Sequence, residues 1–314
     1  MSVMQALAVD TDRRASRIVE TSVPTPKPGQ ILVSISVAGV NEMDAQVRRG
    51  GWRSQVKAFR KAGPVLTGFE FAGIARSDGR RIRAGQRVMG YSPVLDGPRV
   101  HAQMAAVPES GLIAIPDTLS DEAAAALCVM GLTAVEVLER ICPVTAGQRV
   151  LVIGAAGGFG AYSVQLAATR GAEVTAVASG ANGPFVLEQG AAHVRPHEAG
   201  PPFQTGDAFD LVIDAAGKAS FAAAEPFLTR RGMYVSSHPT GDVAGFAQAA
   251  LSSRRAGYLM MLKTDPKRLA RLVALAETRA LRPVIDSIHA LNEADAALDR
   301  FETPGKQGRV LLRL

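Results

Sequence analysis

The chain of 314 residues is predicted to be an α/β protein, a doubly wound parallel sheet accompanied by a mainly antiparallel, partly barrel-like β module. Three observations predict this class. The apolar run Val150-Leu151-Val152-Ile153 breaks into a glycine cluster and then into a helix-like stretch from Ala161 to Arg170. Strand and helix patterns alternate for about a hundred residues beyond it. Aromatic residues make up only 5% of a chain that is 47% hydrophobic and rich in alanine and glycine, which suits helices packed closely on a parallel sheet.

The elements follow in order. Ile31 to Val37 alternates in part, Phe71 to Ala75 is a second strand-like run, and Gln86-Arg87-Val88-Met89-Gly90 ends in a turn signal. Pro24, Pro26, Pro28 and Gly29 punctuate this region, so hairpins fit it better than βαβ repeats. Near Pro116-Asp117-Thr118 the texture changes, with Ser120 as N-cap of an alanine-rich helix running through Cys128. Strands are then expected at Val150–Ile153, Glu173–Ala178, Phe209–Ile213 and Gly232–Ser236. Beyond residue 255, Leu269, Leu272, Val273 and Ala276 share a helical face. Pro283-Val284-Ile285, a short helix from Asn292 and a closing strand Arg309–Leu312 then lead back towards the first module. The expected organisation is 1–118, 119–255 and a return segment 256–314.

The glycine cluster Gly154-Ala155-Ala156-Gly157-Gly158-Phe159-Gly160 carries the first chemistry. Glycines at a strand-to-helix turn let the backbone approach a pyrophosphate, and the helix that follows aims N–H groups and its positive dipole end at the phosphates. Val164, Ala167 and Ala168 recur at helical spacing, Gly171 suits a helix stop, and the next strand follows directly. A complete strand-helix-strand unit of this kind points to a nicotinamide-type dinucleotide.

Composition excludes several classes. No run approaches the roughly 20 apolar residues of a membrane span, and Met1 to Ala6 has no secretion pattern, so a soluble cytoplasmic protein is expected. Cys128 and Cys142 are the two cysteines, too few for a four-cysteine zinc lobe, and they read as buried free thiols. The net charge is +6 and the pI about 9.6, but the arginines are scattered without interleaved aromatics, which argues against nucleic acid.

Four segments taken together carry a family resemblance: Val40-Asn41-Glu42-Met43-Asp44, Gly68-Phe69-Glu70-Phe71-Ala72-Gly73, Gly131-Leu132-Thr133-Ala134 and the glycine turn. They resemble the medium-chain dehydrogenase/reductase superfamily over essentially the whole chain. The turn, with Leu281-Arg282-Pro283-Val284-Ile285 and Gly308-Arg309-Val310, is most similar to the zinc-independent, quinone oxidoreductase-like branch. The resemblance implies a GroES-like catalytic barrel built from both chain ends, an inserted Rossmann-type domain, an active site in the cleft between them, and a homodimer through sheet edges.

Zinc-dependent relatives place their ligands at positions that match Asn41, Phe69 and Val129 here. Phenylalanine and valine offer no lone pair, and the five histidines show no paired spacing, so a metal-free site is expected. For the cofactor, no acidic residue occurs from Val174 through Leu187 to repel a 2′-phosphate, which favours NADPH over NADH. Ser179 is similar in place to the family's phosphate-contacting hydroxyl. Asn182 and His197 stand where NADPH-binding relatives carry a lysine and a tyrosine, and Ala215 and Ser236 end the two following strands.

Without a metal, simple ketones and alcohols lose their electrophilic help, whereas a quinone or an activated C=C bond takes hydride readily and moves charge onto oxygen. The resemblance brings Asn41, Gln46 and Thr133 towards that oxygen as the candidate catalytic polar groups, with Asp44 holding the loop. Trp52 is a candidate wall of the substrate pocket, and Arg53, Lys57, Arg60 and Lys61 a basic loop beside it. The expected function is a zinc-free, NADPH-dependent reductase of quinones, enones or enoyl compounds. A nucleotide-binding redox sensor without turnover and a biosynthetic enoyl reductase on a thioester or natural-product intermediate stay open.

Overall fold

A computed structural model describes residues 2–10, 15–51, 65–92, 99–238, 241–259 and 265–314. The chain divides into two compact units. The first comprises Met1–Val129, Met261–Glu277 and Pro283–Leu314; the second comprises Met130–Met260 and Thr278–Arg282.

The first unit begins with β1 (Val3–Asp10), β2 (Ala15–Ser22), β3 (Gln30–Gly39), α1 (Glu42–Arg48) and β4 (Val65–Leu66). It continues through β5 (Glu70–Ala75), β6 (Arg87–Tyr91), β7 (Met104–Pro108), β8 (Leu112–Ala114) and the start of α2 (Asp121–Val135). Along β3, buried and half-buried residues alternate as far as Val37, the period of a strand with one covered face. Its last residues are buried on both sides, and the functional cluster lies at that end.

The second unit holds β9 (Arg149–Ile153), α3 (Gly158–Thr169), β10 (Glu173–Ala178), α4 (Gly183–Glu188) and β11 (His193–Pro196). It ends with β12 (Phe209–Asp214), α5 (Phe221–Ala224), β13 (Leu228–Ser236), α6 (Val243–Leu251) and β14 (Arg255–Tyr258). Its six strands are all parallel, in the order β11-β10-β9-β12-β13-β14. Leaving β9, the order turns from one side to the other, the place where such sheets bind ligands. Leu151, Ile153, Val177, Val212, Phe221 and Tyr234 form its core.

The chain closes with α7 (Pro266–Glu277), β15 (Ile285–Ala290), α8 (Ala294–Glu302) and β16 (Arg309–Arg313). β16 pairs antiparallel with β3, so the last strand completes a sheet ordered β15-β16-β3-β5-β6-β8, with β7 also on β3. The expected return of the C-terminal segment is therefore realised as strand pairing. Ile31, Val33, Ile35, Phe71, Val88 and Leu112 make the core beneath it.

The unit limits differ from 118 and 255. The first turns of α2 join the first unit because Arg87 pairs with Asp121 and the Val129 N–H donates to Glu70. The second unit runs on past 255 because β14 extends its sheet, and it reclaims Thr278–Arg282, where the Arg282 N–H donates to Gln165. Trp52, Arg53, Lys57, Arg60 and Lys61 lie outside the described residues. Among the described residues, no helix is long and apolar enough to cross a membrane.

Candidate functional site

In the second unit the turn after β9 is shaped by what cannot have a side chain. Gly154 has φ +79°, a left-handed conformation that disfavours any residue with a Cβ. A Cβ on Gly160 would lie 2.2 Å from the Gly154 carbonyl oxygen and 2.8 Å from Ala155 Cα, so the first turn of α3 packs directly on the loop. Gly157, the N-cap, is different: a Cβ there would meet nothing nearer than the Gly154 oxygen at 3.6 Å. The packing does not need that glycine, and its lack of a side chain would let a phosphate approach the first-turn N–H groups.

At the neighbouring strand end, Ser179 follows β10 and caps a single turn, Gly180–Asn182. Its Oγ is buried without a hydrogen-bond partner in the protein, an orphaned group suited to a ligand oxygen. The Gly180 N–H donates to Glu198 Oε2 at 3.1 Å, and His197 Nε2 stands 3.8 Å from Glu198 Oε1. Asn182 is buried rather than presented at the surface. Arg195 is committed to Asp207 through two bonds of 2.6 and 2.7 Å and donates to the Pro202 carbonyl as well.

Ala215 and Ser236 sit at the ends of β12 and β13, where the Ala215 N–H donates to Ile153 and Ser236 Oγ accepts from the His238 N–H. Between them, buried Asp214 accepts from the N–H groups of Ala216, Lys218 and Ala219 and holds the loop. These residues fit a bound dinucleotide on the evidence of the orphaned Ser179 hydroxyl and the open face at Gly157.

In the first unit, a closed polar cluster stands at the end of β3. Asn41 is the N-cap of α1; its Nδ2 donates to Glu70 Oε1 at 2.9 Å, and its Oδ1 accepts from Arg309 Nη2 at 3.0 Å. Arg309 also pairs with Glu70, and Glu70 accepts the Val129 N–H. Gly39 makes room for Glu70 and Arg309, since a Cβ there would lie 2.5 Å from Glu70 Oε1 and 2.8 Å from Arg309 Nη2. Burial pushes the Glu70 carboxyl up, opposed first by Arg309 and then by the hydrogen bonds from Val129 and Asn41.

Beside it, Asp44 accepts the N–H groups of Asn41 and Gly68 at 2.9 and 2.8 Å, which makes it the clasp of both loops. Burial pushes its carboxyl up too, against the opposing charge of His101. His101 is itself spanned by Thr67 Oγ1 on Nδ1 and the Gly39 carbonyl on Nε2.

The candidate groups are thus placed differently from one another. Asn41 has both ends of its amide committed to the cluster, so it serves the frame rather than offering a loose donor. Gln46, on α1, donates to Glu42 Oε1 at 3.1 Å from a half-buried position. Thr133 is buried on the part of α2 that belongs to the second unit. Cys128 and Cys142 are free, and burial pushes both thiols up, Cys128 the more strongly.

The groups that sequence reasoning missed are Glu70 and Arg309 as an ion pair, and Glu198. Both charged residues of the pair lay inside quoted motifs, but nothing local says that positions so far apart would meet.

The residues at the three zinc-matching positions do not fit the ion. The Asn41 amide is consumed, Phe69 and Val129 have no donor atoms in their side chains, and Arg309 already neutralises Glu70. Among the described residues, no three His, Cys, Asp or Glu side chains group as a metal would require.

Comparisons with known proteins agree with the fold. Residues 27–117 match the model of the alcohol dehydrogenase GroES-like domain, and residues 189–312 that of the zinc-binding dehydrogenase domain. A chloroplastic quinone-oxidoreductase homolog of Spinacia oleracea is 28% identical, aligned over 95% of this chain and 94% of its own. The quinone oxidoreductase of Mus musculus is 27% identical over 93% and 91%. The structure of the quinone oxidoreductase from Coxiella burnetii superposes with a TM-score of 0.90 at 26% identity, covering 100% of both chains. With a GroES-like first unit, a Rossmann-type parallel sheet and these relatives along its whole length, the chain belongs to the medium-chain dehydrogenase/reductase superfamily, in its quinone oxidoreductase-like branch.

Proposed function

We propose that the protein is a zinc-free reductase that passes hydride from a reduced nicotinamide dinucleotide to a quinone or to the activated C=C bond of an enone or enoyl compound. The observation that carries this reading is the closed cluster of Asn41, Glu70 and Arg309: at Asn41, a position that the resemblance matches to a zinc ligand, the amide is bonded to both charged partners. Carbonyl reduction without a Lewis acid favours acceptors that delocalise the incoming charge.

When bound, the dinucleotide supplies the hydride, and the chain supplies orientation. The first-turn N–H groups of α3 receive the pyrophosphate, and the Ser179 hydroxyl gains the partner it lacks. Gln46 is the proposed amide donor to the acceptor's oxygen, and Thr133 the proposed polar contact for the nicotinamide. NADPH is the expectation from the acid-free stretch Val174 to Leu187; in the folded chain the Glu198 carboxylate accepts the Gly180 N–H just past β10, where the two dinucleotides would differ.

The assay is oxidation of NADH and NADPH by purified protein against a panel of quinones and enones, with saturated ketones and alcohols alongside and the metal content measured. Turnover of conjugated acceptors alone, undiminished by a chelator, is expected. Alcohol oxidation that depends on stoichiometric zinc overturns the reading, and tight dinucleotide binding with no acceptor turned over replaces it with the sensor.

Assembly as a homodimer along β14 belongs to the same proposal. That strand ends the sheet order, and α6, which leads into it, leaves Leu251 92% exposed.

A further inference from the structure

The stretch that follows β10 carries no acid in sequence, yet an acid stands there in space. β11 runs parallel to β10 with Pro196 opposite Ala178, so the turn His197–Ala199 is delivered beside Ser179 and Gly180. Glu198 reaches back from that turn and takes the Gly180 N–H at 3.1 Å. Its other oxygen lies 3.8 Å from His197 Nε2, beyond hydrogen-bond length, and the Ser179 Oγ next to Gly180 is the orphaned group of this strand end.

Resting on the reading of the glycine turn as a dinucleotide site, we propose that Glu198 selects the adenosine ribose with a free 2′-hydroxyl, and so favours NADH over NADPH. An acid at this strand end accepts hydrogen bonds from ribose hydroxyls and repels a 2′-phosphate. Here the effect would be double: the carboxylate would repel a 2′-phosphate, and it already takes the Gly180 N–H, a donor such a phosphate would otherwise find at this strand end.

The positive charge nearest in sequence cannot compensate. Arg195 on β11 is held by both oxygens of Asp207 and by the Pro202 carbonyl, and its guanidinium lies over the Phe209 ring. Hydrogen bonds from its own backbone N–H and from that of Gly180 hold the Glu198 carboxyl below the usual range, so it is ionised at neutral pH. Admitting NADPH requires Glu198 to give up Gly180 and turn away.

Calorimetric titration of NADH and NADPH into the wild type, Glu198→Gln and Glu198→Lys tests this without any acceptor. The wild type should bind NADH about tenfold more tightly, the order expected when one exposed carboxylate opposes a phosphate. Glu198→Gln should narrow the ratio and Glu198→Lys should reverse it. Raising salt should also narrow the wild-type ratio, a readout that needs no variant. Equal or tighter NADPH binding by the wild type, or a ratio unmoved in Glu198→Gln, overturns the role of Glu198. Binding of neither dinucleotide overturns the site reading itself, a result that cannot be mistaken for the first.

Discussion

Arg309 and Glu70 are 2% and 0% exposed, so each depends on the other to remain charged inside the first unit. Breaking such a pair from one side strands a charge in a poor solvent, whereas replacing both sides removes the problem with the charge. Arg309→Met is therefore expected to cost about 3–5 kcal/mol of stability. The double variant Arg309→Met/Glu70→Gln should recover most of that loss, as read by urea unfolding. A single variant that unfolds at the wild-type urea concentration would show that the pair is not what holds the end of β3. The same residues explain why Asn41 is a frame residue: an amide can satisfy a carboxylate and a guanidinium at once, through its N–H and its oxygen.

At the scale of elements, the turn between β9 and α3 separates glycines that the fold needs from one, Gly157, that the packing does not require. Gly160→Ala drives a methyl against the Gly154 carbonyl, so it should lower stability by about 1–3 kcal/mol and abolish dinucleotide binding. Gly157→Ala has room for its methyl in the empty protein, with the nearest atom at 3.6 Å, so its melting temperature should match the wild type while dinucleotide affinity falls. Thermal melts with and without NADH distinguish the two. Equal affinity in Gly157→Ala would place the phosphates elsewhere. The turn was legible in sequence because its parts are contiguous: an apolar strand, glycines at fixed spacing and an alanine-rich helix. Even there the helix starts earlier than the pattern indicated, at Gly158, since glycines hide a helix start from any count of apolar residues. Leu275 joins Leu269, Leu272 and Ala276 on the buried face of α7, while Val273, which the sequence marked with them, is only half-buried.

At the scale of the whole molecule, the open flank of β14 and the exposed Leu251 predict that light scattering will report about twice the chain mass of 32.9 kDa. A particle of the single-chain mass at micromolar concentration would remove the dimer from the proposal. The change of texture between the modules and the closing strand were readable because hydrophobic periodicity and turn chemistry are local, whereas the return of that strand to the first module was what the family resemblance implied. The unit limits at Val129 and Met260 were not, because hydrogen bonds from Glu70 and strand pairing by β14 decide which way the connecting residues belong.

By itself the sequence determined the α/β class, the glycine turn between an apolar strand and a helix, and the presence of side chains without donor atoms at Phe69 and Val129. Each of those depends on neighbours along the chain or on the chemistry of a single side chain. Only the tertiary structure decided that Glu70, Asn41 and Arg309 close on one another and that Glu198 stands at the end of β10. The reason is register: the pairing of β16 with β3 and of β11 with β10 brings side chains together from positions that no local pattern connects.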